Sequence, residues 1–171
     1  PRERQDPTVR ARDEHALEWA DEVVGRLPES GIHPARLHAF ATWLATHAAD
    51  REAVKAGIIW IGITGTDEDA PLLLALGRHE ELTLYCAVAL TNTLPVPDRA
   101  LWELAKSVDG WGRIQTVERL AQTIDPEIKR WMLREGYRNS IMYEYLACTC
   151  AVGGGLHEAL AQEEVDDALL R

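Results

Sequence analysis

A spacing of 30 residues is the feature that most limits how this chain can fold. Apolar residues recur at this step in three columns, each with a last step shortened to 28 or 29: Leu44, Leu74, Leu104 and then Met132 or Leu133; Val54, Leu84, Ile114 and Met142; Trp60, Leu90, Leu120 and Cys148. Columns that share one period are typical of a repeated supersecondary unit rather than of unrelated segments. Each unit of such an array buries its apolar stripe only against its neighbours.

The repeated unit is predicted to be a pair of helices joined by short loops. The predicted helices lie near residues 8–27, 34–48, 51–63, 67–77, 80–92, 97–107, 112–123, 126–135 and 139–152, with one or two more beyond 154. Helix starts are marked by Asp50, by Thr66 with Asp69 as a capping box, and by Asp125 followed by Pro126. Helix ends are predicted at the glycines Gly65, Gly77, Gly110 and Gly136.

One segment is ambiguous between helix and strand. The run "GIIWIGITG" at 57–65 has the β-branched composition of a buried strand. The helix-forming run "DREAVKAG" leads directly into it, and Asp50 supplies an N-cap. We therefore predict a helix here, and an all-α chain.

The stretch "REAVKAGIIWIGITGTDEDAPLLLALGRHEELTLYCAVAL" resembles bacterial HEAT-like (armadillo-type) repeats. Val54 and Lys55 open a second helix, Gly62 follows, and a Thr-Asp-Glu-Asp turn leads into a leucine-rich helix. The resemblance covers residues 34–152 and implies an α-solenoid, a right-handed superhelix of about four hairpins within a single domain over 1–171. Residues 8–27 are then an N-terminal cap helix, and residues 154–171 are atypical C-terminal helices. Proteins of this class include binding scaffolds, bilin lyases and alkylpurine DNA glycosylases, so the fold alone does not choose a function.

Composition narrows the class of partner. The formal net charge of the 171 residues is −10, which argues against duplex DNA because DNA binding depends on clustered Lys and Arg. No apolar run approaches the roughly 20 residues that span a bilayer, and the start "PRERQDPTVR" lacks the features of a signal peptide. Three cysteines do not form a full disulfide set, which favours a reducing cytoplasm. The first residue is not methionine, so a piece of a longer protein, for instance a regulatory domain, is one of the possible origins.

The second helices of a solenoid line its concave face, which is the usual binding face. If the column of Val54 faces the core, the residue directly after each member of that column turns toward the concave face. Residues one turn later and at the starts of these helices turn toward the same face. The predicted binding residues are Lys55, Tyr85, Trp111, Gln115, Arg119 and Tyr143. Such a mixed, aromatic row is typical of recognition surfaces, although an ordinary helix face can have the same composition.

Glu118 is the one residue that the repeat does not explain. Its column is otherwise occupied by Ile58, Val88 and Leu146, so a carboxylate is predicted on a packed stripe. The structural interpretation is an ion pair with a nearby arginine. The functional interpretation is a catalytic acid or base in the groove of a glycosylase-like or lyase-like enzyme.

Other constellations are weak. The six histidines show no metal-ligand spacing, the sequence contains no cofactor fingerprint, and Cys86 and Cys148 lack a predicted base, so the cysteines are interpreted as buried. The segment "WMLREGYRNSIMYEYL" concentrates aromatic and arginine side chains, and residues 99–138 hold 8 basic against 6 acidic residues. A nucleic-acid enzyme uses such a patch, but arginine stems also cover seams between repeats.

These observations lead to one expectation and one alternative. We expect a non-catalytic scaffold that binds a protein or peptide partner through its concave face, with no cofactor and no metal. The alternative is the enzyme that uses Glu118.

Overall fold

The computed structural model describes residues 25–26 and 31–161, and within them every regular element is helical. Most of the predicted cap helix 8–27, and residues 162–171, lie outside the described residues. The chain divides into two compact units, Pro1–Gly65 and Thr66–Arg171. The prediction of a single repeat domain stays a prediction. No described helix combines the length and the apolar character that a membrane crossing requires.

The first unit contains α1 (Pro34–His47) and α2 (Arg51–Thr64), which pack against each other. Pro34 occupies the first turn of α1, and the His33 side chain accepts a hydrogen bond from the amide of Ala35. Asp50 caps α2 by accepting from the amides of Glu52 and Ala53. The β-branched segment therefore continues a capped helix up to Thr64, and Gly65 ends it, as predicted.

The second unit begins with a 3-10 turn (Asp67–Asp69), followed by α3 (Ala70–Leu76), α4 (Glu80–Thr93), α5 (Asp98–Ser107) and α6 (Gly110–Arg119). It continues with α7 (Pro126–Trp131), which runs into a π-helical turn (Met132–Gly136), then α8 (Glu144–Gly153) and α9 (Leu156–Leu160). The capping box of Thr66 and Asp69 and the N-cap of Asp125 are both present, as the sequence predicts. The π turn was not predicted.

The helices of the second unit pack on helices one or two places away in the chain. The helix α4 packs against α3, α5 and α6, and α6 packs against α5 and α8. The α8 helix also contacts the π turn and α9. Since α4 is covered by three helices, it is buried on most of its circumference.

Burial recurs at the predicted step, with one correction. Cys86, Thr116 and Leu146 are buried at a spacing of 30, and so are Leu90, Leu120 and Cys150. In the two columns of the second helices the predicted last step of 28 is wrong, because Met142 and Cys148 are exposed. In the column of the first helices Met132 is buried 28 residues after Leu104, as predicted. Met142 precedes α8, which begins five residues later than predicted.

Two other boundaries differ from prediction. Gly110 begins α6 rather than ending α5, and its φ of 62° is a left-handed conformation that glycine adopts without strain. The α6 helix ends at Arg119 rather than at residue 123, and hydrogen-bonded turns carry the chain on to Asp125.

Close helix contact in the first unit depends on Gly57. A Cβ atom at this position would lie 2.7 Å from the carbonyl oxygen of Ala41 and 2.7 Å from the amide nitrogen of Ala45. Both atoms belong to the α1 backbone, so they cannot move aside as a flexible side chain would. Helices α1 and α2 can approach this closely only because position 57 carries no side chain.

We expect Gly57→Ala to destabilise the protein. Overpacking of this kind costs about 1–3 kcal/mol, which exceeds the roughly 1 kcal/mol that alanine gains over glycine in helix propensity. Urea denaturation of the full chain measures the difference, with Ala39→Ser on the exposed face of α1 as a control that should change stability little. A Gly57→Ala variant as stable as the parent would contradict the close contact.

Candidate aromatic binding surface

Three of the predicted binding residues form one stripe on α6. Trp111, Gln115 and Arg119 are four residues apart, so they lie on the same face of the helix, and each is partly exposed. The Arg119 guanidinium donates to the carbonyl oxygen of Gln115 at 2.7 Å. Partial burial lowers the pKa of Arg119, and the charge of the adjacent Glu118 acts in the opposite direction. The stripe therefore presents an aromatic ring, an amide and a cation.

Lys55 and Tyr85 differ from the prediction, because the structure buries both side chains. Tyr85 is 2% exposed on the closely packed helix α4, where neighbouring helices cover the face that was expected to be free. Lys55 is 5% exposed, and its Nζ atom lies 3.2 Å from a carboxylate oxygen of Glu52. Neither residue presents contact area to a partner in this conformation.

Tyr143, in contrast, is 57% exposed, as expected of a binding residue. Its ring meets that of Tyr137 edge to face, with centroids 6.2 Å apart. Two residues further on, Tyr145 of α8 packs against Trp111 at a centroid distance of 5.3 Å. These four residues, Trp111, Tyr137, Tyr143 and Tyr145, are called the aromatic surface below.

Apolar and charged side chains flank the aromatic surface. Ile141 and Met142 precede Tyr143 in the chain and are 38% and 48% exposed. The Arg138 guanidinium lies over the ring of Tyr137, with its central carbon 6.0 Å from the ring centroid, and hydrogen bonding to Tyr137 raises the pKa of Arg138. The result is an exposed patch of large side chains bordered by a cation.

A buried amide holds the 137–143 segment against the start of α6. The side chain of Asn139 is 8% exposed, accepts from the amide of Gly110 at 2.8 Å, and donates to the carbonyl oxygen of Gly110 at 3.1 Å. This pairing explains why α8 does not begin at residue 139 as predicted. The hydrogen bonds to Gly110 set the position of Asn139. The chain from Asn139 to the start of α8 therefore follows a loop rather than a helix.

Asp109 adds a second attachment next to the first. Its carboxylate accepts from the amide of Ser140 at 3.1 Å. Burial would raise the pKa of Asp109, but hydrogen bonds from Ser140 and Gly110 and the charge of Arg113 outweigh it, so the pKa is lowered. The carboxylate is therefore held in its charged form, which is the form that anchors the loop.

Arg113 provides a third attachment, at the π turn. Its guanidinium donates to the carbonyl oxygen of Glu135 at 2.8 Å, and its central carbon lies 5.2 Å from the ring centroid of Trp131. A π turn disturbs the regular helical hydrogen bonds, and here an arginine from another helix binds one of its carbonyl groups. Burial lowers the pKa of Arg113, partly offset by the charge of Asp109.

Several cations of the region 99–138 contribute to packing rather than to a free basic patch. The Arg99 guanidinium lies 2.7 Å from carboxylate oxygens of both Asp125 and Glu127, and Lys106 lies 2.7 Å from Glu103. Arg99 and Lys106 also lie over the ring of Trp102, at 5.3 Å and 3.8 Å from its centroid. The contacts of Arg99, which join α5 to the start of α7, agree with the interpretation that long cationic side chains cover seams between helices, whereas those of Lys106 lie within α5.

Glu118 does not lie on a packed stripe. Its side chain is exposed on α6, while Val117 and Leu120 beside it are fully buried. The α6 helix ends one residue later, at Arg119, and the turn that follows buries Leu120. A desolvated carboxylate, as the enzyme hypothesis requires, is not what the structure shows at this position.

The three thiols differ in their surroundings. Burial raises the pKa of Cys86 to about 12. Burial also raises the pKa of Cys150 to about 12, against the opposing charge of Arg113. Both are in the inert thiol form at neutral pH. Cys148 is exposed, so the interpretation of all cysteines as buried is wrong for this residue.

In the part of the chain that the structure describes, no three His, Cys, Asp or Glu side chains come close enough together to hold a metal ion.

Comparisons with known proteins return no family. The chain matches no protein-family model, no curated protein and no solved structure.

Sequence reasoning missed the residue that builds the surface. Asn139 was predicted to lie on a helix, whereas it is a buried loop residue. The cluster "GYRNS" at 136–140 carries the glycine, asparagine and serine that are typical of a loop, and it is the signal that indicates the interruption.

We expect Asn139→Ala to destabilise the second unit by about 1–3 kcal/mol, because both backbone groups of Gly110 would lose their buried partner. Urea denaturation of the full chain measures this loss. Asn92→Ala is the matched control, since Asn92 is exposed on α4 and its replacement should change stability by less than about 0.5 kcal/mol. Equal effects at the two positions would contradict the anchoring role of Asn139.

Proposed function

We propose that the chain is a HEAT-like repeat scaffold, an α-solenoid that binds a protein or peptide segment and carries out no catalysis itself. Two features of the second unit support the repeat. Successive helices α4, α6 and α8 pack on one another, and buried positions recur along them at a spacing of 30. This is the arrangement expected of stacked helical hairpins.

The exposed aromatic surface is the observation that carries the binding proposal. Tyr143 is 57% and Tyr145 is 46% exposed, next to Met142 at 48%. Tyrosine and tryptophan offer large contact areas with few rotatable bonds, and such residues dominate the binding energy of protein interfaces. The attachments at Asn139, Asp109 and Arg113 hold the loop in place before a partner arrives, which lowers the entropy cost of binding.

A protein segment fits this surface better than a nucleic acid does. The arginines at 99 and 113 are engaged with carboxylates, a backbone carbonyl group and tryptophan rings, so they are not arranged along a phosphate backbone. The exposed charges in this part of the chain are mixed, since Arg138 and Glu144 are both exposed. Binding of single-stranded nucleic acid requires a continuous positive groove beside the aromatic rings.

The enzyme hypothesis has less support. It requires a carboxylate in an enclosed, partly desolvated position, and Glu118 is exposed on α6. A reducing cytoplasm is the proposed location, which the free thiols of Cys86, Cys148 and Cys150 fit.

A peptide library displayed on phage tests the proposal. Selection on the immobilised full chain should enrich peptides with aromatic or aliphatic anchor residues. A synthetic peptide of the most enriched sequence should bind the parent chain in titration calorimetry. We expect the triple variant Met142→Ala, Tyr143→Ala, Tyr145→Ala to bind that peptide at least about 30-fold more weakly, since hot-spot residues each contribute about 2 kcal/mol or more.

The matched control removes exposed apolar surface elsewhere in the same unit. Val96 is 74% and Ile124 is 90% exposed, and neither belongs to the aromatic surface. The double variant Val96→Ala, Ile124→Ala should bind the peptide as the parent does. The proposal fails if the selection enriches nothing above bare beads, or if the triple variant keeps the parent's affinity while its circular dichroism is unchanged.

A further inference from the structure

Two dipeptides of the second unit have the composition that favours succinimide formation. In this reaction a backbone amide nitrogen attacks the side-chain carbonyl carbon of the preceding Asn or Asp, and a small following residue permits the approach. Asp109–Gly110 is the single Asp-Gly pair of the sequence, and Asn139 is the one asparagine with a small residue, Ser140, directly after it. The two pairs lie 30 residues apart, at the same position of the predicted period.

The first residue of each pair binds the backbone amide of the other pair. The Oδ1 atom of Asp109 accepts from the amide of Ser140 at 3.1 Å. The Oδ1 atom of Asn139 accepts from the amide of Gly110 at 2.8 Å. These two amide nitrogens are the ones that would attack Asn139 and Asp109, respectively. The two pairs, with the hydrogen bonds between them, are called the reciprocal clamp below.

At Asn139 the reaction would be a deamidation. The Ser140 nitrogen gives up its proton and bonds to the Cγ atom of Asn139, ammonia leaves, and water then opens the cyclic imide to aspartate or isoaspartate. The fold opposes the first step, because the Ser140 amide donates its hydrogen to Asp109. The Asn139 side chain is also fixed, since it donates to the carbonyl oxygen of Gly110 at 3.1 Å and is only 8% exposed. The side chain therefore cannot turn toward its own following amide while the clamp is closed.

At Asp109 the reaction would be an isomerisation. The Gly110 nitrogen gives up its proton and bonds to the Cγ atom of Asp109, one water molecule leaves, and another reopens the imide to aspartate or isoaspartate. A charged carboxylate resists this attack, so the carboxyl group reacts mainly when it is protonated. Burial would raise the pKa of Asp109, but hydrogen bonds from Ser140 and Gly110 outweigh it and lower the pKa, which keeps the group charged.

We propose that Asp109 and Asn139 are latent sites of succinimide chemistry, each kept unreacted by the side chain of the other. Opening of the loop releases both attacking nitrogens, because the clamp bonds join the same two segments. The chemistry is slow compared with reclosing, so its rate follows the fraction of molecules in which the loop is open. An acid at position 139 loses the donor to the Gly110 carbonyl oxygen, and isoaspartate at position 109 adds a methylene group to the backbone before α6.

Modification therefore turns a reversible opening into a permanent one. The clamp holds the loop that carries Tyr137 and Tyr143, so the aromatic surface should lose affinity for a partner as modified chains accumulate. This consequence rests on the proposed function, whereas the chemical claim is independent of it.

Peptide mapping by mass spectrometry of the full chain, incubated at mildly alkaline pH, tests the proposal. Deamidation of Asn139 should be at least about thirtyfold slower in the folded chain than in the chain unfolded in guanidinium chloride, because opening breaks three hydrogen bonds. In the folded chain, Asp109→Ala should accelerate deamidation of Asn139 at least about fivefold, since the Ser140 amide loses its acceptor. Asn139→Ala should accelerate isomerisation of Asp109 by a similar factor, measured by separating the isomeric peptides.

Gly77→Ala is the matched control, because it destabilises the second unit away from the clamp. A Cβ atom at position 77 would lie 2.9 Å from Cδ1 of Leu104 and 3.0 Å from the carbonyl oxygen of Leu73. Deamidation of Asn139 in this variant should stay within about twofold of the parent, since local opening of the loop is unchanged.

Two results overturn the proposal. One is deamidation of Asn139 that is as fast in the folded parent chain as in guanidinium chloride, a comparison that needs no variant. The other is equal acceleration by Asp109→Ala and Gly77→Ala, which would indicate general loss of stability. Titration of the selected peptide against the aged parent chain measures the consequence separately. Complete modification with unchanged peptide affinity would confirm the chemistry and contradict the aromatic surface as the binding site.

Discussion

The contact between the Asn139 side chain and the backbone of Gly110 is the constraint on which the candidate binding surface depends. One amide satisfies the donor and the acceptor of a glycine that begins α6 in a left-handed conformation. It also stops the chain from entering α8 early, so Tyr137 and Tyr143 project from an anchored loop. Because both hydrogen bonds are buried, the protein cannot exchange them for water without a cost in free energy.

Charged side chains around this loop strengthen the same arrangement. Asp109 binds the loop amide of Ser140, and Arg113 binds a carbonyl group of the π turn. Both are therefore committed to structure, as Arg99 is through its two carboxylate partners. What stays available to a partner is mainly aromatic and apolar. This division of roles favours recognition of a protein segment over phosphate binding or acid-base chemistry.

Local signals in the sequence predicted most of the helices. The N-caps of Asp50 and Asp125 and the capping box at Thr66 act within one turn, so the residues nearby are sufficient to identify them. The helix over 57–65 followed for the same reason. The sequence was less informative at Asn139, whose partner Gly110 lies 29 residues away, because no local rule connects the two.

The predicted binding residues also show that local sequence signals do not determine long-range packing. Trp111, Gln115 and Arg119 share a face because helix geometry requires it, and that much is readable from spacing. Spacing does not tell whether a side chain is exposed, because exposure depends on which neighbouring helices cover a face. Tyr85 and Lys55 occupy equivalent places in the 30-residue period, and the fold buries both. Glu118 was expected on a packed stripe and is exposed.

The central claim is that the aromatic surface of the second unit is where a partner binds. Hydrogen-deuterium exchange of the full chain, with and without a selected peptide at saturation, tests it most directly. The account predicts slower exchange in the amides of residues 110–115 and 137–147, with the other described segments unchanged. Protection confined to other segments, with none at 137–147, would contradict it.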